Sequence, residues 1–184
     1  LTDEFSVSNL ITIELNMKES EFSPGNSISV QGKATKQNGA FFDGFLEIEI
    51  PGTENENSSR IIIRDTVKKG YFSANFSLPE KIAAGGYTLN IKAYEKDSTG
   101  NITNQGFTTY NIKIKQIPKT LEIFFEEQKV NPGTNLKVKA ILHDQTGEKI
   151  NSIAIITIKD SKGKIFTQKE VKIDEFLEFP IKYN

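Results

Sequence analysis

Apolar residues alternate with polar residues along much of the chain, which is typical of β-strands that bury one face. The pattern is clearest in residues 46–50, where leucine and isoleucine alternate with glutamate. Turn residues such as Asn38-Gly39 and Gly85-Gly86 separate these segments, and no stretch keeps a helical period of 3.6 residues. The pattern predicts strands in residues 11–17, 28–34, 46–50, 60–64, 72–78, 87–93 and 110–114.

Seven such strands predict an all-β, antiparallel sandwich. Glu47 and Glu49 should point outward, because they alternate with Ile48 and would be costly to bury. The residues predicted to lie inside are Ile13, Leu15, Ile28, Val30, Ile48, Phe72, Phe76, Leu89 and Ile91.

The same pattern occurs a second time, 108 residues further along. "SPGNSISV" contains Pro24-Gly25, and "NPGTNLKV" contains Pro132-Gly133. A period above 100 residues is too long for a solenoid unit and suits tandem copies of a whole β-domain. We predict one sandwich in residues 10–117 and a second in residues 118–184. The connection "KIKQIPKT" has no glycine or serine run and contains Pro118, so it should be short and stiff.

The second copy is predicted to be incomplete. Leu177, Phe179, Ile181 and Tyr183 are aligned with Phe72, Ala74, Phe76 and Leu78, and the last two strands have no counterpart. Residues 1–9, with Phe5 and Val7, resemble the end of a last strand, so they are expected to be either that strand of a preceding repeat or an N-terminal extension. These features favour a piece of a longer array, and a complete two-domain protein is the alternative.

Three structural motifs suggest a family. They are Pro24-Gly25 before the second strand, Gly70-Tyr71-Phe72, and Gly85-Gly86-Tyr87 at the start of the sixth strand. With them, the first repeat and most of the second resemble macroglobulin-like (MG2-type) and related immunoglobulin-like domains of exported bacterial and archaeal proteins. The resemblance implies an extracellular or cell-surface location and carries over no catalytic residue. Tyr87 is then either a tyrosine corner, bonded to the preceding loop, or an ordinary core residue.

Composition narrows the function classes. The 23 basic and 24 acidic residues are mixed along the chain, unlike the basic face of a nucleic-acid-binding protein. Cysteine is absent, which excludes disulfides and thiolate sites within this sequence. No apolar run approaches the roughly 20 residues of a membrane span, so we expect no direct membrane insertion.

The sequence offers little catalytic or metal-binding chemistry, and we predict neither an enzyme nor a bound cofactor. His143 is the only histidine and is expected to be solvated in a turn. Calcium is the one metal to consider, with oxygen ligands from Glu95, Asp97 and Asn101, and also Asn104, although "DSTGN" equally suits an ordinary turn. Asn57 and Asn101 lie in N-x-S/T sequons of predicted loops, and a third sequon begins at Asn75.

These observations predict a non-enzymatic structural segment: a stalk, spacer or surface-layer building block of a multi-repeat protein. Its partners would be neighbouring repeats, like subunits or other cell-surface proteins. One alternative is a carbohydrate- or protein-binding adhesive module that uses Phe41, Phe42 and Tyr94, although Phe42 could instead pack under its own loop. Another is the N-terminal part of a macroglobulin-like protease trap, whose thioester would need a cysteine.

A contact surface is predicted where the two copies differ on their outward faces. Asn16 is replaced by Phe124, Lys33 by Ile141 and Glu47 by Ile155, and Phe45 is matched by Ile153. Contiguous exposed apolar residues commonly mark an interaction site. The alternative is that other strands, or the rest of a longer protein, cover these residues. We expect Phe124 and Ile141 in one sheet and Ile153 and Ile155 in the other.

Overall fold

A computed structural model describes residues 9–52 and 60–182. All the regular structure in these ranges is β-strand, and none of it is a helix that could cross a membrane. The chain divides into two compact units between Lys115 and Gln116, two residues before the predicted boundary. Residues 1–8, which include the predicted strand around Phe5 and Val7, lie outside the described residues.

Unit 1 is an antiparallel sandwich of two sheets. The strands are β1 (Ile11–Leu15), β2 (Glu21–Phe22), β3 (Ser27–Lys36), β4 (Gly44–Ile50), β5 (Ile61–Val67), β6 (Tyr71–Ser77), β7 (Gly85–Lys96) and β8 (Ile102–Ile114). One sheet has the order β1-β3-β6, and the other has the order β2-β8-β7-β4-β5. The two-residue strand β2, which the alternation pattern did not predict, pairs with β8 in parallel.

The core of unit 1 lies between these sheets and follows the predicted alternation. Six of the nine predicted core residues are fully buried, while Ile13, Leu15 and Phe76 are half-buried and pack against the core. Glu47 and Glu49 point outward. Glu47 pairs with Arg64 of β5, and Glu49 pairs with Arg60, the residue before β5. The strand register is therefore the predicted one.

The two sheets come very close at one corner, where β8 passes the start of β1. A Cβ atom on Gly106 would lie 1.9 Å from the carbonyl oxygen of Ile11, so only glycine fits there. The amide of Gln105 donates a hydrogen bond to the Asn9 carbonyl over 3.0 Å. This contact closes the sandwich along the edge where its first and last strands meet.

Unit 2 repeats part of this topology. Its strands are β9 (Pro118–Phe125), β10 (Asn135–Asp144), β11 (Ile153–Lys159), β12 (Ile165–Lys172) and β13 (Leu177–Pro180). The sheet β9-β10-β13 corresponds to β1-β3-β6, and the two-stranded sheet β11-β12 corresponds to β4-β5. Within residues 116–182, no strand corresponds to β7 or β8.

The alignment of β13 with β6 predicted from the sequence is wrong by two residues. Phe179 lies opposite Leu136, as Phe76 lies opposite Ile28, so Phe179 corresponds to Phe76 and not to Ala74. Phe179 is also fully buried. The spacing changes in the connections before β13, and only backbone pairing fixes the register beyond them.

Candidate functional site

The predicted calcium ligand Asp97 belongs to a self-contained turn. Its Oδ1 accepts hydrogen bonds from the Thr99 amide at 2.9 Å, the Thr99 hydroxyl at 2.6 Å and the Asn101 amide at 3.0 Å. The Thr99 hydroxyl, followed by the Asn101 amide, lowers the pKa of Asp97. These bonds close an Asx-type turn.

Two other aspartates form the same turn. Oδ1 of Asp144 and of Asp160 accepts from the backbone amides two and four residues further on. In all three turns a glycine in the left-handed region follows three residues after the aspartate, with φ of 81–90°. The recurrence at three turns favours the ordinary-turn interpretation of "DSTGN".

The remaining calcium candidates also have partners within the protein. Glu95 pairs with Lys36 at 3.0 Å and accepts from Asn104 Nδ2 at 2.6 Å. The Asn101 side chain donates to the Thr99 hydroxyl at 2.8 Å. Among the described residues, no three histidine, aspartate or glutamate side chains are grouped so that they could hold a metal.

The glycosylation candidates occupy different settings. Asn101 is exposed in the Asp97 turn, and Asn75 is exposed on the outer face of β6. Asn57 lies outside the described residues. The use of Asn57 and Asn101 as acceptors stays a prediction.

The structure corrects the expectation for His143, whose side chain is only 21% exposed. Its Nδ1 lies 2.9 Å from the Gly147 carbonyl oxygen. Its Nε2 is buried, has no hydrogen bond, and lies 3.5 Å from a Glu122 carboxylate oxygen. The ring is enclosed because β9 pairs with β10 and places Glu122 beside it, a neighbour that local sequence does not reveal.

The aromatic residues Phe41, Phe42 and Tyr94 do not form one platform. Phe42 is buried under its own loop, which was the alternative interpretation. Phe41 is exposed beside Tyr71 of β6, with ring centroids 5.9 Å apart. Tyr94 lies in β7, in the other sheet of unit 1.

Tyr94 instead belongs to a cluster that the sequence did not reveal. Its ring stacks on Phe45 at 5.4 Å, and Lys92 lies over both Tyr94 and Phe107, at 5.1 and 5.3 Å from their ring centroids. Lys96 lies over Phe45 and Tyr94. We call these five residues the aromatic face. The pairings of β4 with β7 and of β7 with β8 could have suggested it, because they place Phe45 opposite Tyr94 and Lys92 opposite Phe107.

The predicted contact residues of unit 2 lie in two sheets, as expected. Phe124 is exposed and packs edge-on against Phe176 at 6.0 Å, while Ile141 is half-buried on the same outer face. Ile153 and Ile155 are 66% and 60% exposed on the outer face of β11. They form two separate apolar patches, and their role in contacts stays a prediction.

Beside Phe124, Asp174 joins two lysines. One carboxylate oxygen accepts from Lys139 at 2.7 Å, and the other accepts from Lys149. These hydrogen bonds, with that of Lys139 first, lower the pKa of Asp174 to about 2. The Lys139 ammonium also lies over the rings of Phe124 and Phe176.

Residues 115–117, which connect the units, are hydrogen-bonded on both sides. The Lys115 amide donates to the Phe22 carbonyl in unit 1 at 2.9 Å. In unit 2, Gln116 Nε2 donates to Asp144 at 3.0 Å, and the Ile117 amide donates to Gln145 Oε1 at 2.8 Å. Asp144 and Gln145 are the buried polar residues of the described chain.

Asp144 accepts the Gln116 hydrogen bond in its ionised, carboxylate form. Burial acts to raise its pKa, but hydrogen bonds from Thr146, Gln116 and the Glu148 amide outweigh burial and leave the pKa below its ordinary value. The sequence marks Asp144 as a turn residue. The hydrogen bond that Asp144 Oδ2 accepts from Gln116 could not be predicted from the sequence.

Among solved structures, the chain is similar to segments of bacterial alpha-2-macroglobulins. With the native Escherichia coli protein it shares 11% identity at a TM-score of 0.43, covering 98% of this chain and 15% of that one. With the E. coli protein activated by porcine elastase, identity is 14% and the TM-score 0.44, covering 97% of this chain and 20% of that one. With the Salmonella protein reacted with methylamine, the values are 12% and 0.43, covering 98% and 16%.

The chain thus spans at most one fifth of the length of these three proteins. No family model and no curated protein matches the sequence. The chain is an all-β protein of immunoglobulin-like sandwich architecture. Its function is argued below from its own residues.

Proposed function

We propose that the chain is a non-enzymatic structural segment, a stalk or spacer within a larger cell-surface or secreted protein. The observation that carries this proposal is the connection between the units. Three residues separate the end of β8 at Ile114 from the start of β9 at Pro118. Each of the three takes part in a hydrogen bond, and Pro118 adds a fixed φ angle.

Such a connection suits a spacer because it is too short to let the two units move far apart or reorient freely. A flexible Gly/Ser linker leaves its ends free to sample many separations. Here the Lys115 amide is held by unit 1, and Gln116 and Ile117 are held by unit 2. We therefore expect a restricted range of arrangements of the two units, which a stalk or surface layer requires. A structural segment of a macroglobulin-like protease trap would be compatible with the same property.

The proposal can be tested with distance measurements between spin labels. The chain lacks cysteine, so Ser73→Cys in β6 and Thr157→Cys in β11 supply unique labelling sites on exposed side chains. We expect a narrow distance distribution in the parent chain. It should broaden after insertion of Gly-Ser-Gly-Ser between Ile117 and Pro118.

The matched control places the same four residues between Asn38 and Gly39, in an exposed turn of unit 1. This insertion should leave the distribution narrow. If the parent chain already gives a distribution as broad as that of the linker insertion, the spacer proposal is wrong.

The aromatic face supports a second candidate, an adhesive module that binds acidic sugars. The exposed rings of Phe45 and Phe107 would stack on sugar faces, and Lys92 and Lys96 would attract carboxylates. Titration with a galacturonic-acid oligomer should shift NMR signals of Phe45, Tyr94 and Phe107, and a neutral glucose oligomer should shift them less. Phe107→Ala should weaken the response, and Phe41→Ala, in the other sheet, is the control. An absence of shifts with both oligomers would exclude this candidate.

A further inference from the structure

Unit 1 shows what the hairpin of β7 and β8 does for a sandwich of this topology. β7 adds to the edge of β4, from Phe45 opposite Tyr94 to Glu49 opposite Asn90. β8 runs along β1, with Gly106 against Ile11. Five of their inward side chains are 0–3% exposed, namely Leu89, Ile91, Ala93, Ile112 and Ile114.

In unit 2 the surfaces that such a hairpin would cover are open. The inward residues of β9 match Ile13, Leu15 and Met17 of unit 1, which pack on the core. Yet Leu121 is 58% exposed and Ile123 is 61% exposed. On β11, Ala154, Ile156 and Ile158 are only half-buried, whereas their counterparts Leu46, Ile48 and Ile50 are at most 1% exposed.

The backbone is open at the same place. In unit 1, β4 lies between β5 and β7, so both of its edges are paired. Within the described part of unit 2, β11 pairs with β12 alone. We call the combination of the free β11 edge and the apolar inner face of β9 the open slot.

We propose that the open slot of unit 2 binds a β-hairpin whose strands take the places of β7 and β8 in unit 1. Its first strand adds antiparallel to β11 and points alternate apolar residues between the sheets. Its second strand crosses the start of β9 and carries glycine there, because in unit 1 the space at Gly106 admits no Cβ. Such strand addition combines backbone hydrogen bonds with side-chain burial.

A hairpin fits the slot better than other occupants. A lipid surface would cover Leu121 and Ile123 but would not satisfy the backbone groups of β11. Pairing of two β11 edges from two copies would satisfy those groups but would leave β9 uncovered. The β7–β8 hairpin of a second copy is enclosed in its own core, where Leu89 and Ile91 are 0% and 1% exposed.

The register of unit 2 specifies how to test the proposal. The Ile181 amide donates to the Thr134 carbonyl as the Leu78 amide donates to the Asn26 carbonyl, so Ile181 takes the place of Leu78. A second copy of residues 82–115 appended after residue 184 therefore continues unit 2 in the register of unit 1. Hydrogen exchange followed by NMR reports on each β11 amide of this fusion.

We expect exchange of β11 amides in the fusion to slow at least tenfold relative to the parent chain, with unit 1 unchanged. The matched control fusion carries Leu89→Asp and Ile91→Asp in the appended copy only. It should leave β11 exchange as in the parent chain, because charged side chains cannot enter between the sheets.

Two results would overturn the proposal. One is unchanged exchange of β11 in the fusion that carries the unaltered hairpin. The other is protection of β11 in the parent chain that rises with its concentration, which would identify a second copy as the occupant. Neither result depends on the mobility of the connection between the units, so this test is independent of the spacer proposal.

Discussion

The hydroxyl of Tyr87 joins the start of β7 to the loop that precedes it. The Tyr87 side chain is buried, and its hydroxyl donates to the Ala83 carbonyl over 3.0 Å, so Tyr87 is a tyrosine corner as the first of the two interpretations held. Burial also raises the pKa of Tyr87. The motif Gly-Gly-Tyr was enough to suggest this bond.

Tyr87→Phe should lower the free energy of unfolding by about 1 kcal/mol, because the Ala83 carbonyl loses its donor. Urea denaturation followed by NMR signals of unit 1 measures the change. Tyr110→Phe is the control, since the Tyr110 hydroxyl makes a longer, exposed bond of 3.3 Å to Glu19. Equal effects of the two substitutions would contradict the special role of Tyr87.

The Asp174 carboxylate should make the stability of unit 2 depend on pH in the acid range. Its folded pKa of about 2 lies below the ordinary value of 3.8. The stabilisation is therefore fully present above about pH 4 and is lost as the pH falls through 2. Asp174→Asn should remove this component of acid unfolding.

NMR titration of the Asp174 side chain gives a direct measurement. Lys139→Met should move the pKa of Asp174 back toward 3.8, because Lys139 is the first cause of its lowering. A midpoint near 3.8 in the parent chain would show that the two lysines do not hold the carboxylate in solution.

At the scale of the element, alternation predicted the strands well where one face is apolar. It failed where both faces are polar or the strand is short. Residues 102–109 continue β8 well before the predicted strand, but their inward position near β1 is Gly106, so no apolar alternation marks them. β2 has two residues, too few for a pattern. His143 was likewise misjudged because its neighbour Glu122 comes from another strand.

The two faces of β4 should respond very differently to truncation. Ile48→Ala removes a fully buried side chain and should cost about 2–5 kcal/mol. Glu47→Ala, one residue away, removes an exposed ion pair with Arg64 and should cost less than about 1 kcal/mol. Chemical denaturation of both variants measures the contrast, and similar losses would contradict the observed register.

At the scale of the whole molecule, the repeat of 108 residues predicted two related sandwiches, and the chain divides into two units whose sheets share part of one topology. β10 begins and ends 108 residues after β3. The hydrogen bonds from Gln116 and Ile117 to Asp144 and Gln145 could not be predicted, because they join residues 28 positions apart through side chains. The aromatic face has the same origin, since three separate strands supply its members.

The two apolar patches of unit 2 are expected to mediate association. Phe124→Asn with Ile141→Lys, and separately Ile153→Lys with Ile155→Lys, should each weaken self-association. Sedimentation equilibrium over a range of concentrations measures this effect. Ile62→Lys, at a partly exposed position of unit 1, is the control. Unchanged association in both double variants would contradict a contact role.

The corner where the first and last strands of unit 1 meet has a mechanical consequence. The segments that meet there are residues 9–22, at the start of the unit, and residues 105–115, at its end. They run in the same direction, and backbone hydrogen bonds join Gln105 to Asn9, Lys113 to Ser20 and Lys115 to Phe22. A pull applied at the two ends of the unit would drag these segments past each other in opposite directions. The bonds would then carry the force in shear and have to break together, whereas a pair peeled from one end loses its bonds one by one.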